Sequence, residues 1–232
     1  MAEQTKKNYT SRKVSDFNQD KIDFQKFGRW LVIRVFAGLF YKIEYSGREN
    51  IPQDKRFIVA PNHISYFDPF LMGEATDRPI AFMGKKELFE VNELLSKTLD
   101  RLACFAVNRE KLEVSTIKTA LNIFKTDKWL LGIFPQGGIR RNKKIEKINK
   151  GFAVLAKQMK TDILPVSITG CEQYNWIPFA GKIKISVGEI ISYDQEYEDI
   201  INEWGQKVAD LSGYEYVKDN PKKENSVQKT MV

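Results

Sequence analysis

The 232-residue chain contains one histidine, His63, set in Pro61-Asn62-His63-Ile64-Ser65-Tyr66-Phe67-Asp68-Pro69. Imidazole titrates near about 6.5, so it can take and return a proton at neutral pH. Any step needing a general base therefore falls first to His63. Asp68 follows across a Pro-flanked turn, near enough to hold one ring nitrogen and leave the other free. A lone histidine is more often a surface or hydrogen-bonded core residue, and it is the carboxylate at this spacing that raises it above that reading. Ser65-x-x-Asp68 also fits a helix capping box, in which the acid satisfies a backbone donor. A carboxylate at a helix start can serve both ends. Capping accounts for neither the histidine nor the Asn62-His63 pair.

A second group lies far along the chain. Leu130-Leu131-Gly132-Ile133-Phe134 reads as a strand running into Pro135-Gln136-Gly137-Gly138-Ile139-Arg140-Arg141. Glycines let backbone amides approach an oxyanion closely, and arginine binds phosphate through paired hydrogen bonds. Residues 139–150 carry Arg140, Arg141, Lys143, Lys144, Lys147 and Lys150 against the single acid Glu146. Neither a Walker loop nor a G-x-G-x-x-G turn is present.

The elements that must position these groups follow from periodicity. Ile43–Gly47, Phe57–Ala60, Ile80–Met83, Ala103–Val107, Leu130–Phe134, Ile163–Ile168 and the alternating Lys182–Ile190 read as strands. Pro69–Ala75, Leu112–Phe124, Gly151–Met159 and Glu196–Leu211 read as helices, the last on the surface, with amphipathic helical material between Lys86 and Leu99. This interleaving predicts an α/β fold, a mixed central sheet flanked by helices. Residues 24–41 (FQKFGRWLVIRVFAGLFY) are apolar and aromatic but carry Lys26, Arg29 and Arg34. Three charges in about 18 residues disfavour a span and favour an amphipathic helix lying in a membrane interface. The expected organisation is a polar, poorly ordered N-terminus over 1–23, the interface helix over 24–41, one domain over 42–212 and a loose polar tail over 213–232.

Composition narrows the class. With 42% apolar and 29% charged residues the body of the chain folds as a globular domain. The net charge of +7 points to anionic partners. Two isolated cysteines, Cys104 and Cys171, and one histidine exclude a disulfide framework and Cys/His zinc spacing. The first twenty residues have no signal-peptide apolar core, so secretion is not expected.

Taken together, the two constellations resemble the glycerolipid acyltransferase family that includes 1-acylglycerol-3-phosphate acyltransferase. Asn62, His63 and Asp68 match its Asn-His-x4-Asp block. Cys104-Phe105-Ala106-Val107-Asn108-Arg109 is similar to its second block, a strand ending in arginine. Phe134-Pro135-Gln136-Gly137-Gly138-Ile139-Arg140 looks like its third, usually Phe-Pro-Glu-Gly-Thr-Arg, and Ile163-Leu164-Pro165-Val166 like its fourth. The blocks fall in the family's order over about residues 25–212.

The resemblance implies acyl transfer from acyl-CoA or acyl carrier protein to a lysophospholipid hydroxyl, most simply 1-acylglycerol 3-phosphate. His63 and Asp68 are then catalytic, and Arg109, Pro135, Gln136, Gly137 and Arg140 bind the acceptor. Amides near His63 or at Gly137 are the expected oxyanion donors. No cofactor or metal is called for beyond the acyl donor. The expected place of action is the cytoplasmic face of a membrane, as a peripheral or monotopic protein. Gln136 replaces the usual glutamate and Arg140 falls one position late, which puts acceptor preference in question. Two rival readings remain. One keeps the site but changes the acceptor, as a hydrolase, transacylase or remodelling acyltransferase. The other is a non-catalytic basic membrane-binding module. Nucleic acid is not an expected partner, since no recognised motif for it appears.

Overall fold

The computed structural model describes residues 8–108, 113–174 and 176–218. Its helices are α1 (Gln19–Trp30), α2 (Gly38–Phe40), α3 (Asp68–Thr76), α4 (Glu93–Arg101), α5 (Val114–Phe124), α6 (Gly151–Met159) and α7 (Tyr197–Ser212), with a π-helical segment, Leu31–Ala37, joining the first two. Its strands are β1 (Tyr41–Ser46), β2 (Ile58–Pro61), β3 (Ile80–Lys85), β4 (Phe105–Val107), β5 (Leu130–Gly132), β6 (Lys144–Ile145), β7 (Ile163–Thr169), β8 (Gly181–Val187) and β9 (Glu215–Tyr216).

Seven strands form one sheet in the order β1-β8-β7-β2-β5-β3-β4. The block from β7 to β4 is parallel throughout. At the other edge β8 turns antiparallel to β7 and carries β1 alongside it in parallel. The sequence accounts for the difference. All four residues of β2 are buried, and β7 is buried but for its last residue, as strands covered on both faces require. In β8, Lys182 and Lys184 face out while Ile183 and Ile185 face in, the pattern of a strand near a sheet edge.

Helices pack on both faces. One core joins Trp129, Phe152 and Trp204 under α5, α6 and α7; the other joins Phe57, Leu71 and Met72 under α3. The α7 helix, expected at the surface, buries Ile200, Trp204 and Val208 fully, and Trp204 donates its indole N–H to the Ala60 carbonyl at 2.8 Å.

Three boundaries differ from expectation. Helix α1 begins at Gln19, inside the segment expected to be loose, because the Asn18 side chain accepts the Lys21 N–H and caps it. Residues 8–18 are likewise packed. Arg12 is 3% exposed and pairs with Asp100 at 2.8 Å, and the Ala106 N–H donates to the Tyr9 carbonyl. A single buried ion pair leaves no periodic trace in a polar stretch. At the other end, Glu215–Tyr216 pairs in parallel with Lys144–Ile145, so the tail expected from 213 is structured through these residues. No helix among the described residues is long and apolar enough to cross a membrane.

Candidate active site

The site forms where β2 and β5, adjacent and parallel, deliver their C-terminal ends, the usual place for a ligand in an open parallel sheet. Pro61 closes β2, having no N–H to extend the ladder. Asn62 follows, wholly buried, and its side chain acts as one more strand residue. Its amide donates to the Ile168 carbonyl at 2.9 Å and its Oδ1 accepts the Ile168 N–H at 2.7 Å. The residue before His63 is thus fastened to β7, which gives the Asn-His pair its reason.

The next turn wraps around a carboxylate. Asp68 is fully buried, and its Oδ2 accepts from His63 Nδ1 at 2.8 Å, the Ile64 N–H at 2.7 Å and the Ser65 N–H at 2.9 Å. An ionised carboxylate only accepts, so Nδ1 is assigned the proton and Nε2 is left with a free lone pair. Burial raises the Asp68 pKa above the usual carboxylate value, against the opposing pull of the imidazole and the two backbone N–H groups. Only half of the expected capping box forms. Asp68 accepts the Ser65 N–H, but the Ser65 hydroxyl turns to the Phe67 N–H at 3.1 Å, and α3 begins at Asp68 itself. The carboxylate serves the imidazole and the turn at once.

The imidazole also has a floor. Its ring stacks on Phe134 with centroids 3.9 Å apart and planes inclined by 17°, and Phe134 stacks in turn on Phe82 at 5.1 Å. Gly132 makes room for the column: a Cβ there would lie 2.4 Å from the Phe82 ring. The sequence block that holds Phe134 assigns it no role, and Phe82 lies outside every block. A glycine inside the buried run Leu131-Gly132-Ile133 was the available signal, since such a glycine marks a close approach.

His63, Phe134 and Tyr66 border a cavity of about 250 Å³ whose walls are largely apolar. Phe70 comes from α3, Phe82 and Met83 from β3, Leu99 from α4 and Ile22 from α1, with Leu102 and Cys104 beside them. Burial pushes the Cys104 thiol up to about 12, so it stays protonated and inert at neutral pH.

The glycine-rich loop is placed beside His63, with the Arg140 N–H donating to the His63 carbonyl at 2.7 Å. The Arg140 guanidinium Nε is buried without a partner among the described residues. Two expectations need correction. Gln136 is 2% exposed and donates its amide N–H groups to the Lys144 and Glu146 carbonyls, so it braces the loop and is not offered to a ligand. The Gly137 N–H is taken by the Phe134 carbonyl, and those of Ile64 and Ser65 by Asp68, so none of these is a spare oxyanion donor. Gly137 itself sits at φ 68°, which suits glycine, and the Pro135 carbonyl accepts the Asn149 N–H. Arg141 is exposed, donates to the Ile64 carbonyl and lies over the Tyr174 ring. Arg109 lies outside the described residues.

A family model described as acyltransferase matches residues 42–169, more than half of the chain. The chain belongs to the acyltransferase family. The matched segment of this acyltransferase runs from β1 to the end of β7 and so holds the His63–Asp68 pair, Phe134 and the glycine-rich loop. Among similar proteins, one of Bacillus subtilis named 1-acyl-sn-glycerol-3-phosphate acyltransferase is 28% identical over 68% of this chain and 77% of its own length. One of Streptococcus pneumoniae with the same name is 32% identical over 63% of this chain, which spans only 54% of that relative. The crystal structure of the 1-acyl-sn-glycerophosphate acyltransferase PlsC from Thermotoga maritima superposes with a TM-score of 0.62 at 25% identity, over 81% of this chain and 76% of that one. The acyltransferase therefore shares its mixed, mostly parallel α/β architecture.

Proposed function

We propose that this acyltransferase moves a fatty acyl group from a thioester, acyl-CoA or acyl carrier protein, to the hydroxyl of a lysophospholipid in phospholipid synthesis. The favoured acceptor is 1-acylglycerol 3-phosphate, giving phosphatidic acid. The observation that carries the reading is a tautomerically fixed imidazole bordering an apolar cavity. The names of the relatives supply the acceptor class.

In this mechanism the acyl chain fills the apolar cavity and brings its thioester carbonyl to the His63 edge. His63 Nε2 takes the proton of the acceptor hydroxyl as its oxygen bonds to the carbonyl carbon. Asp68, held on Nδ1–H, stabilises the imidazolium, as the acid of a catalytic triad does. Collapse of the tetrahedral intermediate breaks the carbon–sulfur bond, and the imidazolium returns its proton to the departing thiolate. The enzyme needs no nucleophile of its own, because the alcohol is the substrate. Arg140, whose buried Nε lacks a partner among the described residues, takes the acceptor phosphate.

The same reading places the protein at a membrane surface. Phe27, Trp30, Leu31, Val35 and Leu39 are all exposed along α1 and the segment after it, an apolar stripe of the kind that beds into a headgroup layer.

The test is thiol release from acyl-CoA with lysolipids and glycerol 3-phosphate as acceptors, His63→Ala serving as the blank. Release that depends on a lysophospholipid and vanishes in His63→Ala supports the assignment. Release with water alone as acceptor overturns it in favour of a hydrolase.

A further inference from the structure

Residues 176–179 follow β7 and precede β8, and they expose three large apolar side chains: Trp176 is 70%, Ile177 67% and Phe179 74% accessible. A solvated turn has no use for such a cluster, which normally marks a contact surface. The turn is also held firmly. The Phe179 N–H donates to the Leu39 carbonyl at 2.9 Å, and the Trp176 ring meets Phe40 edge-on at 5.7 Å. Phe179 adopts φ 59°, a left-handed conformation that side chains other than glycine's resist. Strain and apolar exposure at one residue are two unfavourable features that folding alone does not explain.

The turn also leads back to the reaction centre. Trp176 lies 6.2 Å from the Tyr174 ring, and Tyr174 meets Phe67, the neighbour of Asp68, at 5.7 Å. Arg141, lying over Tyr174, places a cation beside the aromatic group. Tryptophan and phenylalanine next to a cation are the composition of a headgroup-layer contact. The chain's excess of +7 sets the sign of the partner.

We infer that residues 176–179 form a second membrane contact. In it Trp176, Ile177 and Phe179 enter an anionic phospholipid surface beside the α1–α2 stripe and set the distance of the His63 cavity from the lipid. This rests on the proposed lipid acceptor for its purpose, but its test needs no turnover.

The experiment uses the full chain and two kinds of vesicle, phosphatidylcholine alone and phosphatidylcholine with phosphatidylglycerol. Sedimentation should show binding to the anionic vesicles and about tenfold or greater loss of it in the triple variant Trp176→Ser, Ile177→Ser, Phe179→Ser. Trp30→Phe removes the other exposed tryptophan, leaving Trp176 to report while Trp129 and Trp204 stay buried. In that variant, brominated lipid should quench the emission. The triple variant should keep the parent's far-ultraviolet circular dichroism and a cooperative thermal melt, which shows that it folds. Vesicle binding without quenching of Trp176, or equal binding of the triple variant, would overturn the inference. So would a lipid-free dimer that the triple variant dissociates, since a second copy would then be the occupant. A protein that docks through this turn yet releases no thiol would sink the proposed reaction and leave the contact standing.

Discussion

The His63 imidazole lies flat on the Phe134 ring, 3.9 Å away, while Asp68 holds its Nδ1 at 2.8 Å. One contact sets the tilt of the ring and the other its rotation, so together they aim Nε2 without help from substrate. Phe134→Leu keeps an apolar side chain but loses the plane. It should lower kcat by up to about 10²-fold, the scale of an ~1 Å misplacement, with little change in the acceptor KM. An unchanged kcat would show that Asp68 alone orients the base.

Asp68→Asn keeps an acceptor oxygen for the turn but withdraws the charge that stabilises the imidazolium. Its kcat should fall by about 10⁴-fold, as when the acid of a triad is neutralised. Stability should respond in the opposite sense. With the folded pKa raised by burial, the native state retains a proton that the unfolded chain has lost above about pH 4, so this group's contribution to stability declines as pH rises through that interval. Thermal melts of the variant, measured against the parent, should therefore improve from about pH 4 toward neutrality. Parallel curves at every pH would contradict a burial penalty at this site.

Gln136→Glu restores the residue usual in the family's third block, yet it should not retune the acceptor. The new carboxylate would face the Lys144 and Glu146 carbonyls, which now receive amide N–H groups. A loss of about 1–3 kcal/mol in urea melts is expected, with the acceptor KM unchanged. A shifted acceptor preference at unaltered stability would return Gln136 to the binding site.

Arg12→Ala tests whether the N-terminal segment belongs to the fold. Asp100 would keep Lys21 but lose its buried guanidinium, and about 3 kcal/mol of stability should go with it. Melts within error of the parent would mean that residues 8–18 are only laid against the domain.

Leu102→Trp should fill part of the cavity that Leu102 borders. The thioesters with the longest chains should lose the most kcat/KM and short ones little, read as thiol release across a chain-length series. A uniform loss would place the acyl chain elsewhere.

Periodicity carried most of the architecture. The apolar run of β2, the mostly apolar run of β7 and the spacing over Gly151–Met159 report burial directly, because a residue's period shows which face it turns inward. The His63–Asp68 pair was legible for a related reason: five residues across a proline-flanked turn leave two side chains within reach whatever the rest of the chain does. Phe134 on His63, Asn62 on Ile168, Arg12 on Asp100 and the cavity walled by α1 and α4 were not legible. Each joins residues tens of positions apart, and a one-dimensional pattern holds no trace of which distant strands become neighbours. Gln136 makes the same point within a motif. Its type could be read from the chain, but its direction was set by where residues 144–146 came to pack, and that turned a presumed ligand into a brace.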